Sequence, residues 1–271
     1  MSEERIVTSR NNYKLGKMLS HGTFGIVREC EDDLGNRSVA KILSNKEHSY
    51  KTLKWRWIVE VNAMKLLRHP NILYLYDAFE YERNFYMIIE RCDITLEEYL
   101  QQREIKDRDK FLKSFAPGIL RAVDYIHSQN YVHKDIHAGN IYLKRLVRGV
   151  QSDNVKLGDF GISSSIVNFK REKTILLKHI KPPEFIAPEY FGELDERSDI
   201  YQLGLLFLSI LKAEEKKYSS QEIVDGVPTR DLLQIETVYR EIIVRMLERN
   251  SKNRVSKIVQ IYREMEIVAD S

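Results

Sequence analysis

Up to about residue 90 the apolar positions come in short runs rich in β-branched and aromatic residues, separated by turn-forming ones. YKLGKML (13–19), GIVREC (25–30), SVAKIL (38–43), ILYLYDAF (72–79) and FYMIIE (85–90) therefore predict strands. DDLGN (32–36), between the second and third runs, predicts a hairpin turn. One stretch breaks this texture: over about 48–68, Leu53, Trp57, Val61 and Met64 recur at helical spacing. Beyond residue 95 the spacing is mostly helical. TLEEYL onward, FLKSFAPGILRAVDYIHSQ, SDIYQLGLLFLSIL and LLQIETVYREIIVRMLER predict helices, with two short strands at about 141–144 and 154–158. The pattern describes an α+β chain, a small β-rich part followed by a larger helical one.

Composition narrows the classes of function. With 271 residues the chain is one large domain or two smaller ones, and 43% hydrophobic with 31% charged residues is the balance of a soluble globular protein. A net charge of +3 is too small to suggest a nucleic-acid footprint. KTLKWRW (51–57) is locally basic and holds both tryptophans; a solvated helix face is expected there. Two cysteines, Cys30 and Cys92, cannot build a disulfide framework or a four-cysteine zinc site, and reduced thiols are expected. MSEERIVTSRNN (1–12) reads as a polar tail with no signal-peptide core. LGLLFLSIL (203–211) is about half the length that spans a bilayer and reads as a buried helix, so no membrane partner is expected. A cytoplasmic or nuclear location follows, while oligomeric state stays unassigned.

The candidate chemistry is spread along the chain. HKDIHAGNIYL (133–143) sets His133, Asp135 and His137 on alternate positions, with Asn140 five residues after the aspartate. Imidazole and carboxylate are ordinary metal ligands. LSHGTFGIV (19–27) has Gly22 and Gly25 in a hairpin turn, where backbone N–H groups can cradle a phosphate or where the glycines merely make the turn. Lys41 lies in an apolar strand and needs a partner, for which Glu60, beside Val61 and Met64, is the natural choice. LGDFGIS (157–163) places Asp159 at the end of a short strand, released by Gly161. IAPEY (186–190), RSDIYQLG (197–204) and RNSKNRVS (249–256) complete the set.

In this order the pieces resemble the eukaryotic protein kinase family over residues 13–265. The resemblance implies a bilobal fold with an N-lobe at 13–90, a hinge at 91–94, a C-lobe at 95–265 and a short tail at 266–271. It implies ATP and Mg²⁺ as cofactors, ATP and protein substrates as partners, and room for a regulatory protein partner. HKDIHAGNIYL becomes the catalytic loop, with Asp135 as the base and the magnesium held by Asn140 and Asp159 rather than by histidine. His133 then packs behind Phe160 in a column with Met64 and Leu75. Lys41, fixed by Glu60, would hold the α- and β-phosphates. Leu19, Ser20, His21, Gly22, Thr23, Phe24, Gly25 and Val27 would cover the phosphates. Val39, Ile89, Glu90, Cys92 and Tyr142 would surround the adenine, Ile89 guarding the space behind it. Asp199 would anchor the catalytic loop, and Glu189 would pair with Arg254.

Departures from the family pattern shape the expected activity. Ser20 stands where the first loop glycine falls, Val39 where an alanine does, and Tyr142 where a leucine forms the pocket floor. Lys134 replaces an arginine that clamps a phosphorylated activation loop in the family, and lysine lacks the planar fork for that role. Control by loop phosphorylation is therefore not expected, although Ser163, Ser164, Ser165 and Thr174 are available. His137 and Pro182 depart from the commonest serine/threonine pattern, yet a histidine at 137 resembles tyrosine-kinase-like members that phosphorylate serine and threonine. The expected reaction is γ-phosphate transfer to serine or threonine. The alternatives are a pseudokinase acting as a nucleotide-binding or regulatory scaffold, and a small-molecule kinase, which the A-P-E segment and helical tail disfavour.

Overall fold

The computed structural model describes residues 4–8, 11–22, 25–44, 48–102, 105–144, 149–161, 163–165, 187–188, 195–213 and 216–269. The chain divides into two compact units, Met1–Arg68 with Leu73–Arg91 and His69–Ile72 with Cys92–Ser271. The first is β-rich and the second mostly helical.

The first unit is an antiparallel sheet in the order β1-β2-β3-β4-β6-β5. Its strands are β1 (Glu4–Val7), β2 (Asn12–Gly22), β3 (Gly25–Asp32), β4 (Arg37–Leu43), β5 (Leu75–Tyr81) and β6 (Asn84–Ile89). The turn expected at 32–36 forms because Asp32 Oδ1 accepts from the N–H groups of Leu34 and Asn36, both at 2.9 Å. Side chains alternate between the two sheet faces. One face carries a cluster of Ile6, Tyr13, Leu15, Cys30, Ala40, Ile42, Tyr86 and Ile88. The other carries Val39, Lys41, Leu43, Phe85, Met87 and Ile89, which the β4–β6 register sets side by side. Helix α1 (Tyr50–Leu66) is capped by Ser49, whose side chain accepts from Thr52 N–H, and buries Leu53, Val61 and Met64 as the spacing predicted.

Two boundaries in the first unit differ from the expected ones. The stretch read as a polar tail contributes β1, paired with β2, and Ile6 is only 1% exposed in the aromatic cluster. Two adjacent apolar residues are too short a run to show periodicity, whereas β2 would otherwise present an unpaired edge. The run 72–79 begins as a strand only at Leu75. Asn71 Nδ2 donates to the carbonyls of Ser152 and Val155 at 2.7 and 2.8 Å, and Ile72 bridges to Leu157, so His69–Ile72 belong to the second unit.

The second unit holds α2 (Leu96–Gln102), α3 (Arg108–Ser128), α4 (Glu196–Lys212), α5 (Ser220–Val224), α6 (Val227–Leu233), α7 (Arg240–Met246) and α8 (Ile258–Ala269). Short strands β7 (Ile94–Thr95), β9 (Ile141–Leu143) and β10 (Val155–Leu157) form one small sheet; β8 (Tyr131–Val132) and β11 (Ser164–Ser165) form another. Helix α4 is buried from Ser198 through Leu211, so the apolar run 203–211 is a core helix as expected. Among the described residues no helix is long and apolar enough to cross a membrane. The helix expected over LLQIETVYREIIVRMLER is broken into α6 and α7. Asp109, in the first turn of α3, accepts from Thr237 Oγ1 at 2.6 Å and Val238 N–H at 3.0 Å, a tertiary bond that outweighs local propensity. Helix α8 runs to Ala269, into the stretch read as a tail, and Lys113 Nζ donates to the Ala269 carbonyl at 3.1 Å.

Candidate functional site

The HKDIH stretch is not a strand. His133 is fully buried, and its Nε2 donates to the Gly158 carbonyl at 3.1 Å while its Nδ1 accepts from Asp135 N–H at 3.3 Å. Both nitrogens are committed to the backbone in the neutral form, and burial holds the imidazole below its ordinary pKa. His137 Nδ1 accepts from Gly139 N–H at 3.2 Å and caps the single turn Ala138–Asn140. Among the described residues no group of three or more His, Cys, Asp or Glu is arranged to hold a metal. Phe160 meets the His133 ring edge-on at 4.9 Å, the contact expected of a structural histidine. Met64 and Leu75, expected in the same column, are buried in the first unit.

What fixes this loop is a buried carboxylate on α4. Asp199 Oδ2 accepts from His133 N–H at 2.9 Å and Oδ1 from Lys134 N–H at 2.8 Å, while His127 Nε2 lies 2.8 Å from Oδ2. Burial alone would push the Asp199 carboxyl up, but these hydrogen bonds and the neighbouring imidazoles outweigh it and hold it below the usual range. One turn on, Gln202 accepts from Ile136 N–H at 3.0 Å and donates to the Lys134 carbonyl at 2.8 Å. Lys134 is thereby held at φ 72°, a conformation that costs a non-glycine residue roughly 1 kcal/mol or more and needs surroundings that enforce it.

On that platform Asn140 Nδ2 donates to the Asp135 carbonyl at 2.9 Å and to Asp135 Oδ2 at 3.1 Å. The amide hydrogens are spent on Asp135, which leaves the Asn140 side-chain oxygen as the atom that could meet a cation. Gly158 N–H donates to the Asn140 backbone carbonyl at 3.0 Å and so brings Asp159, the next residue, to the same loop. Asp159 sits at φ 60° with Oδ1 accepting from Gly161 N–H at 3.2 Å. Asparagine and aspartate oxygens suit a hard cation such as Mg²⁺.

In the first unit Lys41 Nζ donates to Glu60 Oε1 at 2.6 Å; the glutamate side chain is 5% exposed and the lysine side chain 24%. The β3–β4 register sets Val27 opposite Lys41, and the β4–β6 register sets Val39 opposite Ile89, so these four share one face. Gly22 and Gly25 pair across the preceding turn, with Ser20 and His21 beside them and Leu19 44% exposed. Gly25 is obligatory, since a Cβ there would lie 1.9 Å from the Ile42 carbonyl. Glu90 is buried, its carboxylate accepting from Tyr74 N–H at 3.3 Å. In the second unit Cys92 is half-buried, and Tyr142 lies in β9 opposite Thr95. Thr23, Phe24, Thr174, Pro182 and Glu189, together with residues 170–173, lie outside the described residues. Arg254 donates to the carbonyls of Glu248 at 2.8 Å and Arg197 at 2.6 Å. Ser163, read as available for modification, is instead 2% exposed and donates to the Phe160 carbonyl at 2.8 Å.

Sequence reasoning missed His127 and Gln202. The first looked like one more position on an amphipathic helix. The second had a usable signal, because Asp199-x-x-Gln202 places two polar groups on one face of an otherwise apolar helix, and buried polar groups need partners.

The protein kinase domain family matches residues 13–265. Among similar proteins, the probable serine/threonine-protein kinase zyg-1 of Caenorhabditis briggsae is 26% identical over 257 residues, covering 94% of this chain and 34% of that protein. CBL-interacting protein kinase 2 of Oryza sativa subsp. japonica is 28% identical over 267 residues, 94% of this chain and 58% of that protein. The carbon catabolite-derepressing protein kinase of Saccharomyces cerevisiae is 29% identical over 255 residues, 90% and 38% respectively. The chain thus spans less than two thirds of the length of each of these relatives. With the match running through nearly all of it, the chain belongs to the protein kinase domain family.

Proposed function

We propose that the protein transfers the γ-phosphate of ATP to serine and threonine hydroxyls of protein substrates. The observation that carries this reading is the Asp135 carboxylate, clasped by Asn140 on a loop that Asp199 and Gln202 fix from beneath. A module that only bound partners has no physical need to preorganise that pair. Phosphoryl transfer depends mostly on positioning and charge neutralisation. Asp135 would orient the substrate hydroxyl and accept its proton. Lys41, steered by Glu60, would bind the α- and β-phosphate oxygens, and the turn at Gly22 and Gly25 would shield the phosphates from water. The Asn140 carbonyl oxygen and the Asp159 carboxylate would hold Mg²⁺, which when bound neutralises the β- and γ-phosphate oxygens. The serine/threonine preference draws on the names of the relatives and on His137. One relative is named for interaction with CBL, and a regulatory protein partner is part of the proposal here, as is a cytoplasmic location.

The test is labelled ATP with arrayed peptides offering serine, threonine or tyrosine. Transfer to serine or threonine should exceed transfer to tyrosine at least about tenfold and vanish with EDTA. No signal above the EDTA control would leave a nucleotide-binding regulatory scaffold as the reading.

Lys41→Met is expected to lower transfer at least about a hundredfold, since the phosphates lose their positioned cation. It should also lower unfolding free energy by about 1–3 kcal/mol, because Glu60 keeps a buried charge without that partner. Adding Glu60→Gln should restore stability but not activity, as urea unfolding and initial rates will tell.

A further inference from the structure

KTLKWRW reads as a solvated helix face, yet its second tryptophan is tied into the sheet. Trp57 Nε1 donates to the Tyr86 carbonyl at 3.0 Å, and its indole packs on the Phe85 ring at 5.5 Å. Tyr50, two turns earlier on the same stripe, packs on Phe85 at 5.2 Å, and its hydroxyl donates to Glu80 Oε1 at 2.8 Å. Lys54 Nζ donates in turn to the Tyr50 hydroxyl at 3.2 Å. All of these residues belong to the first unit.

The register gives the contacts their meaning. Trp57 lies three residues before Glu60, so the two side chains share a helix face. Glu60 reaches Lys41 on β4, and Trp57 reaches Tyr86 and Phe85 on β6, the residues paired with Ile42 and Leu43. The two attachments therefore land within two residues of each other in the sheet. A one-residue slip of α1 is about 1.5 Å of rise and 100° of rotation and would break both together. Tyr50 adds a third point near the start of the helix, which resists pivoting about the other two.

We infer that Trp57, supported by Tyr50, is a positioning residue that holds α1 in the register where Glu60 pairs with Lys41, so that the pairing is built into the first unit. The consequence for activity rests on the phosphotransfer reading above; the consequence for α1 does not. In the full chain, Trp57→Phe keeps an aromatic ring on Phe85 and loses only the N–H donor, whereas Trp57→Ala loses both. Initial rates at saturating peptide should fall about threefold to fivefold for Trp57→Phe and more than about thirtyfold for Trp57→Ala. Amide exchange over residues 53–64 should accelerate at least about tenfold in Trp57→Ala, with β3 and β4 unchanged. In a Glu60→Gln background Trp57→Ala should cost little further activity, which a merely stabilising residue would not do. Unchanged exchange over 53–64, or losses that multiply in the double variant, would overturn the inference. If the wild type transfers no phosphate, the phosphotransfer reading fails and the exchange measurement alone decides the anchor.

Discussion

Asp159→Asn should lose at least about a thousandfold in phosphotransfer, or about 4 kcal/mol of transition-state stabilisation, while folding like the wild type. Both halves of that expectation come from local geometry. Asp159 sits at φ 60°, a region that asparagine tolerates as well as aspartate, so the backbone strain is unchanged. Its Oδ1 accepts from Gly161 N–H at 3.2 Å, a bond the asparagine carbonyl can keep. The preceding residue stays tied to the Asn140 carbonyl through the Gly158 N–H. The negative charge is lost, and in the proposed reaction that charge would help hold Mg²⁺. Initial rates at saturating ATP, with melting curves for both proteins, separate the two effects. More than about 1% residual activity in a well-folded variant would remove Asp159 from the metal role.

The division into a β-rich and a helical part was legible because strand and helix impose different periods on the same apolar alphabet, and the switch near residue 95 is abrupt. Lys41 and Glu60 were legible because a charge on an apolar strand or helix stripe demands a partner. Asp199 was legible only through its motif, and its ligands, His127 and the N–H groups of His133 and Lys134, were not. Backbone donors leave no trace in side-chain identity, and His127 comes 72 residues earlier in the chain. The break between α6 and α7 was hidden for a similar reason, since the aspartate that binds the connecting residues Thr237 and Val238 lies on α3. Trp57 was legible only as a member of the apolar stripe with Leu53, Val61 and Met64, because neither spacing nor local composition says which carbonyl its indole meets. β1 escaped because a four-residue edge strand is specified by the partner it pairs with more than by its own pattern.

Asp199→Ala is expected to cost about 3–5 kcal/mol of stability and to abolish transfer, though the residue touches neither phosphate nor hydroxyl. Removing the carboxylate orphans the buried N–H groups of His133 and Lys134 and takes the partner from His127. The left-handed backbone at Lys134 loses one of the supports that enforce it, while the Gln202 bond to its carbonyl remains. Asp199→Asn should cost roughly half as much, because its carbonyl oxygen still accepts one N–H while its amide hydrogens face the other. The pH dependence has a definite sign. The folded carboxyl lies below its unfolded value of about 3.9, so its contribution is complete above that pH and is lost as pH falls through the folded value. His133 is also depressed, so below about pH 6.5 the unfolded chain takes up a proton the folded chain refuses, and stability falls as the solution is acidified. Urea unfolding at pH 7.5, 5.5 and 4 should therefore show the wild type losing stability at each step. Asp199→Ala should show a shallower fall in a further step from pH 4 to pH 3, where its missing carboxylate no longer titrates. A variant that unfolds within about 1 kcal/mol of the wild type at pH 7.5 would mean that the catalytic loop holds its shape without the α4 carboxylate.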